Sequence, residues 1–193
     1  MESPEWVYAS VVGTLLHRFA RGSVKGRVLD VGCGSKPYKR LFPDCEWVGL
    51  DKRPVGDIEG DAVEMPVEDG EFDTVLCTDL LGHVPSPAHV VMECKRVLKP
   101  GGEAVFAVRH TMPDDDETLW TFTERGLDFL LASAGFEDIR LVSDGAVFGA
   151  EWQSISLFQR GGYRIPPELG GWVDAMSERY PAVVFALATK PLT

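Results

Sequence analysis

The 193-residue sequence lacks the features by which membrane and secreted proteins are usually recognised. It contains no apolar run that approaches the about 20 residues needed for a membrane-spanning helix. Its first residues, MESPEWVYAS, are acidic and place no basic region before an apolar one, so we expect no signal peptide. The sequence therefore predicts a protein without a membrane partner.

Cysteines are few and scattered along the chain. The four of them, Cys33, Cys45, Cys77 and Cys94, form no C-x-x-C pair. This spacing argues against a disulfide framework and against a zinc site, and we predict no metal. Reduced thiols are typical of the cytoplasm, where we expect the protein to act.

Basic residues are in deficit, because 19 Lys and Arg stand against 30 Asp and Glu and give a formal net charge of -11. Proteins that bind nucleic acids need a basic surface for the phosphates, so a nucleic-acid partner is not favoured. The length suits one domain over residues 1–193, and no internal repeat or low-complexity linker divides it.

Short apolar runs alternate with segments of helical periodicity. The runs predict strands, and the periodic segments predict an N-terminal helix within residues 1–22 (Pro4 to Ala20), a helix after Pro87 that ends at Pro-Gly-Gly, and a helix between Thr123 and Gly135. The predicted strands are residues 27–31, 46–51, 57–61, 72–78, 102–108, 138–143 and 182–190. This order predicts an α/β fold: a Rossmann-like, doubly wound, mainly parallel seven-stranded sheet with helices on both faces.

The loop after the first strand, in RVLDVGCGSKPY, combines an acid with two glycines. Gly32 and Gly34 have no Cβ, so a ligand can approach the backbone closely. The third glycine of a dinucleotide-binding loop is absent, because Pro37 stands in its place. Asp30 adds a negative charge that would repel a pyrophosphate but not a cation, so the loop favours a cationic ligand.

Further acids follow the next two predicted strands. Asp51 ends the second strand, where a carboxylate can accept both hydroxyls of a ribose, as found in NAD and in S-adenosylmethionine. Asp61 ends the third, where it can accept a hydrogen bond from an adenine amino group, and Ala62 can lie against the ring. A single Asp after a strand is usually a turn residue or a cap, but three in succession beside a Gly-x-Gly loop indicate a binding site.

Four segments in series carry a family resemblance: VLDVGCGSKPY, VGLDKRP, GDAVEMPVEDGEFDTVLCTDLLGHV and ECKRVLKPGGEAVFAV. They resemble the successive motifs of the class I S-adenosylmethionine-dependent methyltransferases, over about residues 24–143, and AVVFALATKP resembles the family's last strand. The resemblance implies transfer of a methyl group from S-adenosylmethionine to a small-molecule acceptor, with O- or N-methylation favoured and S-adenosylhomocysteine as product. A looser resemblance of residues 109–136 points to bacterial methyltransferases of sugar and natural-product pathways.

The resemblance also implies roles for individual residues. Asp30 and the loop Gly32-Cys33-Gly34 would hold the amino-acid end of the cofactor, and Tyr38 would close over its carboxylate. Asp51 would bind the ribose hydroxyls, with Lys52 beside the adenine and Asp61 and Ala62 against it. The backbone of Cys77 and Thr78 would contact the methionine amino group. The family often has a third glycine where Lys36 stands, so contacts beyond Gly34 are the least defined.

Two histidines follow strands at the predicted acceptor edge, and a hydroxyl or ammonium acceptor needs a base. His83 follows the fourth strand, and either a structural role or a catalytic one fits it equally. His110 follows the fifth strand, at the rim where an acceptor would enter. His17 and His89 lie on helical segments and are expected to be surface or packing residues.

Some features leave alternatives open. Residues 113–117, PDDDE, suit a solvated acidic loop better than a magnesium or calcium site. Residues 144–182 are rich in aromatic residues and fit either a cap over the acceptor pocket or a packing or oligomer contact, with a homodimer as one arrangement. An NAD-dependent oxidoreductase and a non-catalytic S-adenosylmethionine-binding protein remain as alternative functions.

Overall fold

The computed structural model describes residues 12–110, 118–144 and 183–193, and these form one seven-stranded sheet in the order β3-β2-β1-β4-β5-β7-β6. The strands are β1 (Arg27–Val31), β2 (Glu46–Asp51), β3 (Ile58–Glu59), β4 (Phe72–Thr78), β5 (Leu98–Arg109), β6 (Glu137–Asp144) and β7 (Val183–Thr189). The predicted α/β fold with a mainly parallel, seven-stranded sheet is confirmed.

The order in which strands are added reverses at β1, which lies between β2 and β4. β1 pairs in parallel with β2 on one side and with β4 on the other, whereas β7 runs antiparallel to both β5 and β6. The chain first builds β2 and β3 outward from β1 and then returns to build β4 and β5. In such sheets, ligands bind in the crevice at the carboxyl ends of the strands where the order reverses.

Helices cover both faces, as predicted. One face carries α1 (Pro87–Val97) and α2 (Glu124–Ser133). The other carries the N-terminal helix, which is α-helical over residues 12–15 and continues as a π-helix over Leu16–Ala20. After β1 the chain forms only a short 3-10 helix, Lys39–Leu41.

The largest differences between the predicted and the observed boundaries concern the third strand and the region between the helix after Pro87 and β5. The third strand shrinks from residues 57–61 to Ile58–Glu59. The first of the two later helices ends at Val97, and β5 begins at Leu98 instead of after Pro-Gly-Gly. Pro100 explains the early end, because the residue before a proline is pushed out of the helical region and the proline itself donates no hydrogen bond.

Each face of the sheet has its own core, and the strand alternation decides which side chains join it. Val28, Leu76 and Ala107 pack beneath the N-terminal helix, whereas Leu29, Val75 and Phe106 pack beneath α1 and α2. Because side chains alternate along a strand, the face of the N-terminal helix also receives a polar set near the strand ends. That set is Asp30, Asp51, Thr78 and Arg109.

Several sequence features lie outside the described residues. They are the start of the N-terminal helix, the acidic stretch 113–117, and nearly all of the insert 144–182. The single-domain organisation over residues 1–193 and the cap therefore stay predictions. Across the three described ranges, none of the helices combines the length and apolarity that a membrane crossing requires.

The N-terminus of α2 provides a test of local stability. Thr123 caps the helix by accepting a hydrogen bond from the Gly126 amide at 3.0 Å. We expect Thr123→Ala to lower the free energy of unfolding by about 1 kcal/mol, because it leaves a helix amide without its partner. Urea denaturation measures the change.

Thr121→Ala is the matched control, since Thr121 is an exposed threonine just before the helix. It should change the stability by less than about 0.5 kcal/mol. Equal effects of the two substitutions would show that the cap contributes nothing.

Candidate functional site

The Gly-x-Gly loop is bound tightly to β2. Gly32 and Gly34 have φ angles of 71° and 47°, in the left-handed region that favours glycine. The amides of Gly32 and Cys33 both donate to the carbonyl of Leu50, at 2.8 and 3.1 Å. The Gly34 amide donates to Oδ2 of Asp51 at 3.0 Å. All three loop amides are therefore used within the fold, and none is left for a pyrophosphate.

Asp30 is a buried acid at the end of β1, with 1% of its surface exposed. Its Oδ2 accepts a hydrogen bond from Nε1 of Trp47 at 3.2 Å. Burial raises the pKa of Asp30 to about 7, although the Trp47 hydrogen bond and the charge of Lys36 act in the opposite direction. Asp30 is thus close to half-ionised near neutral pH, and a nearby cation would favour its charged form.

Asp51, at the end of β2, is also buried, yet it is held ionised. Its carboxylate accepts hydrogen bonds from the backbone amides of Gly34 and Arg53, at 3.0 and 2.9 Å, and from the Arg53 guanidinium at 3.2 and 3.4 Å. Burial acts to raise the pKa of Asp51, but these hydrogen bonds outweigh it and leave the pKa below its usual value. The exposed Arg53 side chain is the partner that a ribose could replace.

The end of β3 adds a third acid. Asp61 accepts hydrogen bonds from the Val63 amide and from Nζ of Lys52, both at 3.2 Å. The hydrogen bond from the Val63 amide has the larger effect, and the two interactions together keep the pKa of Asp61 below its usual value. Ala62 follows and is buried, so a small apolar surface lies beside the acid. The fold thus joins Lys52 to Asp61, with Ala62 next in the chain.

The thiols of Cys33 and Cys77 both have raised pKa values. Burial, with the negative charges of Asp30 and Asp51, raises the pKa of the Cys33 thiol to about 11. Cys77 is fully buried on the face of α1, where its interaction with Cys94 and its burial raise the pKa of its thiol. Both thiols stay protonated near neutral pH, and neither is a nucleophile or metal ligand in that form.

A second polar group lies at the ends of β4 and β5. Arg109 binds Asp79 in a two-pronged ion pair, with Nε at 2.7 Å from Oδ1 and Nη2 at 2.8 Å from Oδ2. Asp79 follows Thr78 directly and has a φ of 56°, a strained conformation for a residue with a side chain. Buried Tyr38 interacts with Thr78, and its burial together with Asp79 and Asp30 raises the pKa of its hydroxyl.

The two candidate bases differ in their surroundings. Nε2 of His83 lies 4.0 Å from Oδ1 of Asp79, and the backbone amide of His83 donates to the Leu80 carbonyl at 2.9 Å. His110 is half-buried next to Arg109, and within the described residues its side chain makes no hydrogen bond or ion pair. Among the described residues, His83 but not His110 lies at ion-pair distance from a carboxylate.

Four residues of the site were not predicted from the sequence. Arg53, Trp47, Asp79 and Arg109 all contact predicted site residues or lie beside them. Asp79 and Arg109 could have been found, because each stands at the end of a predicted strand. Trp47 could not, since its contact with Asp30 depends on the register of β1 against β2.

The three carboxylates at the strand ends fit S-adenosylmethionine better than a dinucleotide. Carboxylates at the ends of β1, β2 and β3 suit a cationic amino-acid end, a ribose and an adenine, in that order. A Cβ at Gly32 would lie 3.1 Å from the Leu80 side chain, so this part of the loop admits no bulk. Over the described ranges, no group of three or more His, Cys, Asp or Glu side chains is arranged to hold a metal ion.

Comparisons with known proteins agree with this fit. Residues 29–106 match a family described as a methyltransferase domain. The chain is 30% identical over 196 residues to a ubiquinone biosynthesis O-methyltransferase of Erwinia tasmaniensis, covering 90% of this chain and 70% of that protein. An Escherichia coli protein of the same name is 29% identical, with the same coverage.

Solved structures share the fold. A methyltransferase from Archaeoglobus fulgidus superposes with a TM-score of 0.66 at 17% identity, covering 94% of each chain. A Haemonchus contortus phosphoethanolamine N-methyltransferase, solved with S-adenosyl-L-methionine, gives a TM-score of 0.65 at 17% identity. It covers 97% of this chain, which spans only 56% of that protein.

The family match and the curated relatives favour a methyltransferase over the oxidoreductase and the non-catalytic binding protein that the sequence left open. They agree with a small-molecule acceptor and with S-adenosylmethionine as the cofactor. This chain belongs to the class I S-adenosylmethionine-dependent methyltransferases and is an enzyme that transfers a methyl group from that cofactor.

Proposed function

We propose that this enzyme methylates a hydroxyl oxygen of a small organic acceptor, with His83 as the base. The observation that carries the proposal is the position of His83, 4.0 Å from the Asp79 carboxylate at the acceptor end of β4. A hydroxyl must lose its proton as the new bond forms, and a carboxylate near an imidazole stabilises the imidazolium that results. The O-methyltransferase relatives support the same acceptor atom.

The cofactor would lie across the carboxyl ends of β1, β2 and β3. Asp30, with the loop Gly32-Cys33-Gly34 and Tyr38, would hold the amino-acid end, and the backbone of Cys77 and Thr78 would contact its amino group. Asp51 would accept the ribose hydroxyls in exchange for the Arg53 guanidinium. Lys52, Asp61 and Ala62 would border the adenine. When bound, the cofactor supplies a methyl group on a positively charged sulfur.

The residues of the chain then have little chemistry to perform beyond alignment and proton transfer. Arg109 holds the Asp79 carboxylate through two hydrogen bonds, so this carboxylate keeps its orientation towards His83. His83 accepts the proton of the acceptor hydroxyl. Tyr38 closes the buried side of the site against Thr78.

Two further proposals concern the working state of the enzyme. All four cysteines are free thiols, which supports a cytoplasmic location. A homodimer is the assembly that we propose to test, by sedimentation of the purified protein. A monomer at micromolar concentration would rule it out as the working form.

The acceptor assay tests the proposal directly. Catechol, phenol and a primary amine would each be incubated with the enzyme and S-adenosylmethionine, and release of S-adenosylhomocysteine measured. We expect product with the hydroxyl acceptors. Product with the amine alone would show that the enzyme methylates nitrogen and would overturn the proposal.

Substitution of the two histidines separates their roles. We expect His83→Ala to lower kcat by about 100-fold or more, because a positioned base contributes at least that much to proton transfer. His110→Ala is the matched control, and its kcat should stay within about threefold of the parent, since a residue outside the reacting groups contributes little. The reverse pattern would assign the base to His110.

Asp30 predicts a pH dependence of stability. The folded protein keeps the Asp30 proton up to about pH 7, whereas the unfolded chain loses it near pH 4, so this residue lowers stability as pH rises through that window. Asp30→Asn removes the effect. The variant should gain roughly 2 to 4 kcal/mol on the parent between pH 4 and pH 8, as the size of the shift implies.

Urea denaturation of the parent and of Asp30→Asn at both pH values measures this gain, and the contributions of other groups cancel in the comparison. Glu68→Gln, at an exposed acid far from the site, is the control. A constant difference between parent and Asp30→Asn at the two pH values would show that Asp30 ionises normally in the folded protein.

A further inference from the structure

Lys36 occupies the position at which the resembling family often has a third glycine, yet its backbone keeps the glycine conformation. Its φ angle is 55°, in the left-handed region that residues with a side chain rarely adopt. Its amide donates to the Cys33 carbonyl at 2.7 Å, which closes the turn. A strained residue of this kind persists only where its surroundings hold it in place.

The surroundings that hold Lys36 are on β2. A Cβ built on Gly49 would lie 2.5 Å from Cε of Lys36 and 2.7 Å from Sγ of Cys33. Real side chains do not approach so closely, so the Lys36 side chain crosses β2 only because residue 49 is a glycine. Gly49 of β2 therefore provides the space that a lysine at position 36 of the loop requires.

Asp57 receives the end of the Lys36 side chain. Nζ of Lys36 lies 2.7 Å from Oδ2 of Asp57, and the Lys36 side chain is 19% exposed. Asp57 is itself tied to Gly49 in both directions: its Oδ2 accepts from the Gly49 amide at 2.8 Å, and its amide donates to the Gly49 carbonyl at 2.7 Å. The pair thus bridges the cofactor loop to β2.

The charge of Lys36 reaches the proposed cofactor site. Of the described charges that act on Asp30, Lys36 favours its ionisation and Asp51 opposes it. The other groups facing Asp30 are the Trp47 indole, the protonated thiol of Cys33 and the Tyr38 hydroxyl. The amino-acid end of S-adenosylmethionine carries a positive sulfur, which an uncancelled lysine charge would repel.

We propose that Lys36, Gly49 and Asp57 form a positioning unit that anchors the cofactor loop and keeps the lysine charge cancelled, so that this charge does not weaken the binding of the positively charged S-adenosylmethionine relative to its neutral-sulfur product. This inference rests on the proposed placement of the cofactor beside Asp30. The residues act through the loop and through their charges, without touching the reacting atoms.

The test compares two variants that break the same ion pair with opposite changes of charge. Asp57→Asn leaves an uncancelled positive charge, and Lys36→Met leaves an uncancelled negative one. Calorimetric titration gives the dissociation constants of S-adenosylmethionine and S-adenosylhomocysteine for each variant. We expect the ratio of the first constant to the second to rise roughly threefold in Asp57→Asn and to fall roughly threefold in Lys36→Met, as partly screened charges require.

A merely structural anchor would move the ratio in the same direction in both variants, or in neither, because both lose the same contact. Either result overturns the proposal. Lys99→Met is the matched control, since Nζ of Lys99 also lies 2.7 Å from a carboxylate oxygen, that of Asp73. This ion pair lies near the starts of β4 and β5, at the opposite end of the strands from the proposed site. This control should leave the ratio unchanged.

Gly49→Ala tests the anchoring part separately, because it displaces the lysine side chain without changing any charge. It should weaken both ligands by a similar factor, and unchanged affinities would show that Gly49 is not needed. Asp30→Asn distinguishes a failure of the site placement: if it leaves both affinities unchanged, the cofactor does not lie beside Asp30, whatever Lys36 and Asp57 do.

Discussion

The parallel pairing of β1 with β2 on one side and with β4 on the other is the constraint on which the site depends. It places Asp30 opposite Gly49 and Leu76 in neighbouring strands, in the middle of the sheet. The chain leaves the sheet at this point through a loop whose amides are all used by β2. The groups proposed to hold the cofactor lie at or near the carboxyl ends of these strands and of β3.

Asp30 is an acid at a position as buried as those of the apolar core. Asp30 receives one hydrogen bond from Trp47, and its burial is otherwise uncompensated by a direct ionic partner among the described residues. Such a group is destabilising when it is charged. The cationic ligand that we propose for this site would supply a positive charge next to Asp30 and favour its ionised form.

The acceptor side is organised differently. Asp79 has its full ionic partner in Arg109, and its backbone is strained. The two hydrogen bonds from Arg109 therefore fix the orientation of this carboxylate within the fold. Strain at a single residue beside a proposed base is consistent with a site in which geometry takes precedence over local stability.

Much of the fold could be predicted from the sequence, because its signals are local. Short apolar runs predicted the strands, Thr123 and Gly135 bounded a helix, and acids at the ends of β1, β2 and β3 marked the ligand-binding side of the sheet. The extent of the third strand and the end of α1 were less well predicted, since pairing and a proline decided them.

The sequence by itself determined the order of elements, the Gly-x-Gly loop and the family, since periodicity, turn chemistry and motif order are properties of neighbouring residues. Only the tertiary structure decided that Trp47 donates to Asp30, that Arg109 holds Asp79, and that Lys36 crosses Gly49 to reach Asp57. These contacts join residues far apart in the chain. They depend on strand register, because a shift of one residue would turn Trp47 or Arg109 to the other face of the sheet.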